Sequence, residues 1–411
     1  MKVALASTMA PPFNLVVHFF IAGIFSLVLS VFMLPFLELQ SENHFLSFSL
    51  AAFSHLYLLG FVMMIIFGAL YQLLPVVLEV PIFSKKSAYV QFYIYFVGVV
   101  LLVLGFGIES LSFLIPYGAM MSYVAMLIFC VNVVLTFYTL KTLNLISKFL
   151  LFGVLFLGLS ATKGMVIASH LGYGWFDIVV DEWVKAHMLG ALGGFVMMVI
   201  MAVAMVLLPM FSLAHNYSKK YLENAFYLHV FGVSFGMLAL VFGLKTILYI
   251  ALIALICSCA LFVVQMSLIL KARARKQNDY WFKNIVFALI CFVLSISLLS
   301  VMPLLGAILG FFGFLLPLII GHMYKILPFL IWYKKFSPLV GKKPVPLLHQ
   351  MIHSRVAEIQ TGMLFIAICF LSLSMLLDIL VLFYLGSCLL IVSIMLVLYD
   401  VGYSFYFFIK E

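Results

Sequence analysis

Charged residues are scarce in this chain of 411 residues: they make up 9% of it, whereas hydrophobic residues make up 67%. The mean hydropathy is +1.31. A water-soluble domain cannot cover its surface with so few polar side chains, so the composition excludes the soluble classes of protein. It predicts an integral membrane protein with the lipid bilayer as its main partner.

Cysteine is sparse as well, and all six cysteines fall within apolar stretches, so no disulfide framework is expected. The sequence contains no Walker phosphate-binding loop, no dinucleotide-binding glycine fingerprint, no His-Glu-x-x-His and no c-type haem attachment motif. No small-residue cleavage site follows the first apolar run, so no cleavable signal is predicted. The common soluble cofactor-binding motifs are therefore absent.

Long apolar runs are what the chain does have. About twelve of them reach the roughly 20 apolar residues that a helix needs to cross a bilayer, which predicts an all-α integral membrane fold. The predicted spans are residues 14–36, 48–76, 88–107, 113–139, 148–169, 184–211, 222–243, 246–270, 281–302, 304–333, 355–377 and 379–408.

Lysine and arginine concentrate in alternate loops and at the two termini, where Lys2 and Lys410 lie. The opposite side holds only Lys163, Lys185 and Lys245. The positive-inside rule therefore predicts that both termini are cytoplasmic, as in a protein of the bacterial inner membrane. The net charge of +9 then reflects topology and anionic lipid headgroups, and no nucleic-acid partner is expected.

One phrase occurs three times in the chain: "HLYLLGFVMMIIFGALYQLLP" from His55, "GFVMMVIMAVAMVLLP" from Gly194 and "GFLLPLIIGHMYKILP" from Gly313. The spacing predicts a single membrane domain, 1–411, made of three four-helix repeats at 13–140, 148–271 and 280–408. An even number of helices returns the chain to its starting side, so the repeats are parallel and related by a pseudo-threefold axis along the membrane normal.

Twelve helices in three parallel four-helix arcs resemble subunit I of the haem-copper oxidases, a superfamily that includes oxygen reductases and nitric oxide reductases. The motif resemblance rests on helices 2, 6 and 10, where "AHMLGALGGFVMMVIMAVAMVLLPMF" is the stretch in helix 6. It implies that His55 is an axial ligand of a b-type haem near the outer leaflet. It also implies that His187 is a copper ligand, and that an electron-transfer partner lies in the membrane or the periplasm.

The chain departs from this family where the oxygen-reducing centre would be. The outer half of helix 10 reads "LLGAILGFFG" and has no histidine, and helix 7 carries His229 alone in place of an adjacent pair. Oxygen or nitric oxide reduction is therefore disfavoured. Two hypotheses remain: a b-type haem or single metal site used for electron transfer, gas binding or haem and copper handling, or a cofactor-free transporter or respiratory-complex assembly protein.

Further polar residues fall inside the spans at a depth nearer the predicted cytoplasmic side. His18, His229, His322 and Lys325 could form an inner layer, with His55 and His187 in an outer one. Ionisable groups within a membrane are functional candidates by default, so His322 is taken as a cofactor ligand or proton-relay residue.

Each of these residues also has a plainer interpretation. Lys325 could extend to the interface. His55 could bond a neighbouring carbonyl, and His187 could be a solvated residue at a helix end near Asp181 and Glu182.

Overall fold

The computed structural model describes residues 12–37 and 47–409, and this part of the chain is almost entirely helical with no β-strand. The prediction of twelve spans is confirmed, since twelve helices are long and apolar enough to cross a membrane. They are α1 (Phe13–Phe36), α2 (Phe48–Leu78), α3 (Lys85–Gly107), α4 (Glu109–Tyr138), α5 (Leu145–Tyr173), α6 (Val180–Ser212), α7 (Lys220–Phe242), α8 (Lys245–Lys271), α9 (Tyr280–Leu298), α10 (Pro303–Lys335), α11 (Ser354–Leu377) and α12 (Leu380–Ile409).

The two chain ends lie outside the described residues, and with them Lys2 and Lys410. The side of the membrane on which the termini lie therefore stays a prediction from the charge pattern. The apolar helices themselves are those of an integral membrane protein in a lipid bilayer.

Three helical hairpins carry much of the packing: α3 with α4, α7 with α8, and α11 with α12. Each hairpin has a connector of only one or two residues, so its two helices must run antiparallel. Gly243 (φ 68°) and Asp378 (φ 53°) end α7 and α11 in the left-handed conformation that reverses the chain after a helix. The short connectors thus determine which helices are neighbours.

The chain forms two compact units. The first contains the described residues of Met1–Phe20 together with Ile66–Lys276, and the second contains Ile21–Ile65 with the described residues of Gln277–Glu411. Within the first unit, α4 packs on α5 and α5 on α6; within the second, α9 packs on α10 and α10 on α12.

The most lipid-facing helix is α8, where only 22% of the most apolar window is buried. Its outward residues are large and apolar, and they include Tyr249, Ile250 and Ile253, each more than half exposed. In a bilayer such side chains contact acyl chains, and no water-facing polar stripe is needed. The largest fully buried side chains are mostly aromatic, among them Tyr57, Tyr71 and Tyr95.

Candidate functional site

Helices α2, α6 and α10 each contain a π-helical segment. The segments are Leu56–Met63, Leu189–Val196 and Leu309–Leu315. All three include the Gly-Phe pair of the repeated phrase. π-Helical turns are rare and occur frequently at functional sites, because their wider hydrogen-bond ladder disturbs the regular backbone pairing. Hydrophobic periodicity gave no sign of them.

A glycine in each π segment allows the helix to lie close against its predecessor. A Cβ atom built on any of the three glycines would lie 2.6–2.8 Å from a side-chain atom of the preceding helix, closer than real Cβ contacts come. The glycines and the residues they face are Gly60 and Ser26, Gly194 and Phe156, and Gly313 and Cys291. The same close approach therefore occurs at all three segments.

His187 lies at the start of the π segment of α6 and is held by α5. Its Nδ1 is 2.8 Å from the carbonyl oxygen of Ser160, and the Ser160 hydroxyl donates to the carbonyl of His187 at 2.7 Å. The ring packs over Gly164, where a Cβ atom would lie 2.9 Å from the ring Cε1. Because the Nδ1 proton is donated to a carbonyl, the neutral ring has its lone pair on Nε2.

No hydrogen bond reaches Nε2 of His187 from the described part of the chain. The acidic residues that precede it in α6 are engaged elsewhere: Asp181 and Glu182 both pair with Lys185. His187 is thus a part-buried histidine anchored to the neighbouring helix rather than a solvated residue at a helix end.

His229 of α7 completes the backbone of the π segment in α6. Met197 donates its amide to the carbonyl of Leu192, five residues back. The next amide returns to α-helical spacing, so the carbonyl of Gly193 is left without a backbone donor from the helix. His229 Nε2 donates to this carbonyl oxygen at 2.7 Å. Nδ1 of the same ring is 3.1 Å from the Ser258 hydroxyl. His229 therefore satisfies a buried carbonyl.

His55 and Tyr57 bracket the start of the π segment in α2. The imidazole Nδ1 of His55 lies 2.7 Å from the carbonyl of Ala51, one turn back in the same helix. Tyr57 is fully buried, and its hydroxyl donates to the carbonyl of Phe311 at 2.6 Å. The Tyr57 ring also stacks on the Phe311 ring, with centroids 5.5 Å apart.

The space between α2 and α10, where the resemblance would place a haem held by His55, is occupied by aromatic side chains. The two helices meet through the rings of Tyr57, Phe311 and Phe312, and Tyr57 bonds directly to the backbone of α10. The face that would have to hold the flat cofactor is filled with side chains.

A multi-ligand metal centre has no support in the described residues, because they contain no group of three or more His, Cys, Asp or Glu side chains able to share an ion. This finding includes His187, and it concerns sites with three or more such ligands.

Lys325 of α10 forms a buried ion pair with Asp279, the residue that caps α9. The ammonium is 2.7 Å from Asp279 Oδ2, and the two side chains are 17% and 9% exposed. The other carboxylate oxygen accepts the amide of Phe282 at 3.0 Å, as a helix N-cap does. The Lys325 ammonium also lies 5.5 Å from the centroid of the Tyr280 ring. Lys325 is thus held inside the protein.

More hydrogen-bonded polar side chains continue from this ion pair between α9, α10, α11 and α12. Tyr324 donates to Gln360 Oε1 at 3.1 Å, and Gln360 Nε2 donates to the Ser393 hydroxyl at 2.9 Å. Asn284 bonds Thr361 at 2.9 Å. We call this group the inner polar cluster; its members are Asp279, Asn284, Tyr324, Lys325, Gln360, Thr361 and Ser393.

Part of the inner polar cluster has a counterpart in the first four helices. Tyr71 of α2 donates to Gln91 Oε1 of α3 at 3.2 Å, just as Tyr324 does to Gln360. Tyr71 and Tyr324 occupy the same position of the repeated phrase. In α6 that position is Met205. The polar pair is therefore present in α2 and α10 and absent from α6.

The six residues singled out in the sequence do not converge on one centre. His18 bonds the carbonyl of Asn14 at 2.6 Å and packs against Phe92, and no described hydrogen bond joins it to His229. His322 lies on α10 with Lys325, and its Nδ1 is 2.8 Å from the carbonyl of Leu318. The proposed inner and outer layers are thus separate local contacts within each unit.

Two functional candidates were missed by sequence reasoning, Asp279 and Asp400. Asp279 looked like part of a basic loop, although an Asp directly before the aromatic start of a span is a signal for a helix cap. Asp400 lies within α12 and is fully buried. An acidic residue inside an apolar span was a signal that could have been read.

No protein-family model matches the chain, and no curated protein is similar enough to count as a relative.

Proposed function

We propose that the chain is a cofactor-independent membrane transporter built on a frame like that of haem-copper oxidase subunit I. The frame would be three parallel four-helix repeats, and it is supported by the three π segments at matching positions and the glycine behind each of them. The repeated Tyr–Gln pair adds to this support. The aromatic filling between α2 and α10 favours a frame without haem.

The observation that carries the transport proposal is the buried Lys325–Asp279 ion pair within the inner polar cluster. Ionisable groups inside a membrane protein are costly and are retained mainly along the paths of ions and substrates. A pair that served stability alone gains little, because the desolvation of both charges offsets their attraction. A role in recognising a charged solute accounts for its presence.

Asp279 bonds the amide of Phe282 through Oδ1 and the Lys325 ammonium through Oδ2, and this suits it to exchange the second partner. Its Oδ1 stays bonded to the amide of Phe282 when Oδ2 gives up Lys325, so the carboxylate does not lose every donor. The Lys325 ammonium is then available to a carboxylate or phosphate group of a solute. We therefore propose a small anion as the substrate, with Lys325 as its binding residue and Asp279 as the group it displaces.

The experiment is solute-induced charge movement in proteoliposomes, recorded while acetate, succinate or inorganic phosphate is applied in turn. The wild-type protein is expected to give a transient current with at least one of these anions. Lys325→Gln should abolish the current, since the neutral amide cannot attract the anion.

The matched control is Lys283→Gln. Lys283 also forms an ion pair, with Glu358 at 2.5 Å, but both of its side chains are more than a third exposed. This variant should keep the wild-type current. Equal losses in Lys325→Gln and Lys283→Gln, or no current with any of the anions in the wild type, would contradict the proposal.

A second candidate function rests on His187. Its Nδ1 is fixed by Ser160 and its Nε2 has no hydrogen bond from the described residues, which is the arrangement of a metal-binding imidazole. A haem iron or a copper ion with this single protein ligand would supply gas binding or electron transfer. The residues that would position it are His187, Ser160 and Gly164.

Visible spectra of the purified protein, oxidised and then reduced with dithionite, test this second candidate. A Soret band that disappears in His187→Ala and persists in His55→Ala would support it. Absence of any band from protein made in haem-replete cells, together with no copper by mass spectrometry, would exclude it and leave the transport proposal untouched.

A further inference from the structure

The last helix of each hairpin holds the beginning of the helix before it through one polar side chain. Asn132 of α4, Gln265 of α8 and Asp400 of α12 bond the backbone of Ser84, Ser218 and His353, respectively. These three backbone partners stand at the starts of α3, α7 and α11. The three contacts occupy comparable places but differ in their bonds and side chains: two are amides and one is a carboxyl group.

Asn132 satisfies its partner completely. Its Oδ1 accepts the amide of Ser84 at 2.9 Å, and its Nδ2 donates to the carbonyl of Ser84, also at 2.9 Å. Gln265 makes the second of these bonds, from Nε2 to the carbonyl of Ser218 at 2.7 Å. In both hairpins a side-chain N–H group therefore donates to the backbone carbonyl at the start of the hairpin's first helix.

Asp400 reproduces only the first bond of Asn132. Its Oδ1 accepts the amide of His353 at 3.2 Å. Its Oδ2 is buried and has no hydrogen-bond partner in the described part of the chain, and the residue as a whole is fully buried. The matching second atom in the first hairpin, Asn132 Nδ2, donates to the backbone carbonyl of Ser84, whose counterpart here is the carbonyl of His353. Two acceptor oxygens cannot bond each other without a proton between them.

We infer that Asp400 is a proton-binding site: it holds a proton on Oδ2 and donates it to the carbonyl of His353, so that a carboxylic acid takes the part that an amide plays at Asn132. The proton comes from water and returns to water, and no other group changes. When Asp400 ionises, its buried charge faces a carbonyl oxygen and the bond between α12 and the start of α11 is lost. This inference does not depend on the transport proposal.

No lysine or arginine of the described residues pairs with Asp400. The ionisable groups that act on it are His353, which is exposed at the start of α11, and Tyr324, whose hydroxyl donates to Gln360 and also lies within reach of the carboxyl group. The other ionisable groups on the elements packed against α12 are engaged elsewhere or stand at the exposed ends of their helices. These are Lys325 with Asp279, Lys335 with the carbonyl of Phe408, Glu358 with Lys283, and His349 and Arg355 at the surface.

A small apolar cavity near Asp400 is lined by Val397 and Val401, which flank Asp400 on α12, by Ile352, which precedes His353, and by Tyr324. A carboxylate that loses its bond to His353 would be close to this cavity. The loop from α10 to α11 would then be released from α12, because the bond to His353 fixes its end.

The test is infrared difference spectroscopy of the full-length protein in lipid nanodiscs, comparing the wild type with Asp400→Asn. A protonated carboxyl group absorbs well apart from a carboxylate and shifts on exchange into heavy water. The wild type is expected to show such a band at neutral pH, and Asp400→Asn is expected to lose it while keeping its melting temperature, since Asn132 shows that an amide fits. The band unchanged in Asp400→Asn would overturn the proposal.

Asn132→Asp is the matched second variant, because it creates the same carboxyl group in the first hairpin. It should add one protonated-carboxyl band to the wild-type spectrum, and its melting temperature should fall more than that of wild type as the pH is raised. A carboxylate band in place of the protonated one would show that the site does not select for a proton. A wild-type band that responds to sodium ions and not to pH would assign the site to a metal cation and equally overturn the proposal.

Discussion

The helices α5–α8 and α9–α12 carry different residues at matching positions of the sequence. Where α9–α12 have Tyr324 and Lys325, the aligned residues of α6 are Met205 and Val206. Where α7 has His229, eleven residues after Ser218, α11 has Leu364, eleven residues after His353. Each region is polar at positions where the other is apolar.

The difference shows that either a polar or an apolar residue can occupy these positions, as long as each buried polar group has a hydrogen-bond partner nearby. In α5–α8 a histidine satisfies the carbonyl of Gly193 beside the π segment. In α9–α12 the polar residues lie nearer the basic loop and bond one another, while the π segment is bonded by Tyr57. The region whose polar groups can exchange partners is therefore the one better suited to carry a function.

The largest effect is expected from removing one member of the buried ion pair. Asp279→Ala leaves the Lys325 ammonium buried without its carboxylate and removes the cap of α9, so we expect a loss of about 3–5 kcal/mol in unfolding free energy. The measurement is unfolding of the purified protein in mixed micelles. In the double variant Asp279→Ala with Lys325→Met the position of Lys325 becomes apolar, as the aligned Val206 is in α6. This variant should recover most of the lost unfolding free energy. No recovery would show that the broken ion pair does not cause the loss.

A Cβ atom at the closest helix contact should come next. Gly194→Ala places a methyl group 2.6 Å from Phe156 Cβ, and overpacking of this kind costs about 1–3 kcal/mol. The melting temperature of the detergent-solubilised protein reports it. Gly362→Ala is the control, because its Cβ would meet nothing within 4 Å and alanine favours a helix. Equal melting temperatures of Gly194→Ala and Gly362→Ala would show that the close contact at Gly194 does not matter for stability.

The variant His229→Leu gives α7 the residue that α11 has at the matching position, Leu364. It removes the donor to the carbonyl of Gly193, and a buried carbonyl left without a donor costs about 1–3 kcal/mol. The loss of unfolding free energy should be near the lower end of this range if the π segment of α6 can shift to give the Gly193 carbonyl another donor. Leu364→Ile, which changes the shape of the aligned side chain and removes no hydrogen bond, is the control. Hydrogen exchange of the α6 amides, faster in His229→Leu alone, would locate the effect.

The smallest expected effect compares the two Tyr–Gln pairs. Tyr71→Phe and Tyr324→Phe each delete one buried hydrogen bond, worth about 0.5–1.5 kcal/mol, without leaving a cavity. Similar losses in melting temperature are expected because the bonds join matching helices. A much larger loss in Tyr324→Phe would mean that the inner polar cluster acts as one network and that the likeness to Tyr71 is only local.

The sequence predicted the number and places of the membrane helices because apolar length alone decides them. For example, residues 48–76 and 184–211 became Phe48–Leu78 and Val180–Ser212. It also identified the Gly-Phe pairs that lie in the π segments. The segments themselves could not be predicted, since a π turn differs from an α turn by one residue that no hydrophobic pattern records. The haem and copper expectations for His55 and His187 stay predictions, as does His322 as a ligand.

The polar pairings were out of reach for a different reason. His229 and Gly193 are 36 residues apart, and Lys325 and Asp279 are 46 apart, so only the folded arrangement shows that they meet. Lys325 was expected either to extend to the interface or to join a histidine layer. The ion pair with Asp279 is a third solution, and it was missed because Asp279 was counted with the loop.

The π segments also make three helices adjustable in a way that their neighbours are not. Each segment contains one residue beyond what α-helical spacing requires, as the amide of Met197 bonded to the carbonyl of Leu192 shows in α6. Moving that surplus residue along the helix by one turn rotates the intervening side chains by about 100° and leaves both helix ends where they are. In α2, α6 and α10 the side chains that point toward a neighbouring helix can thus change, while the helix neither slides nor tilts in the lipid.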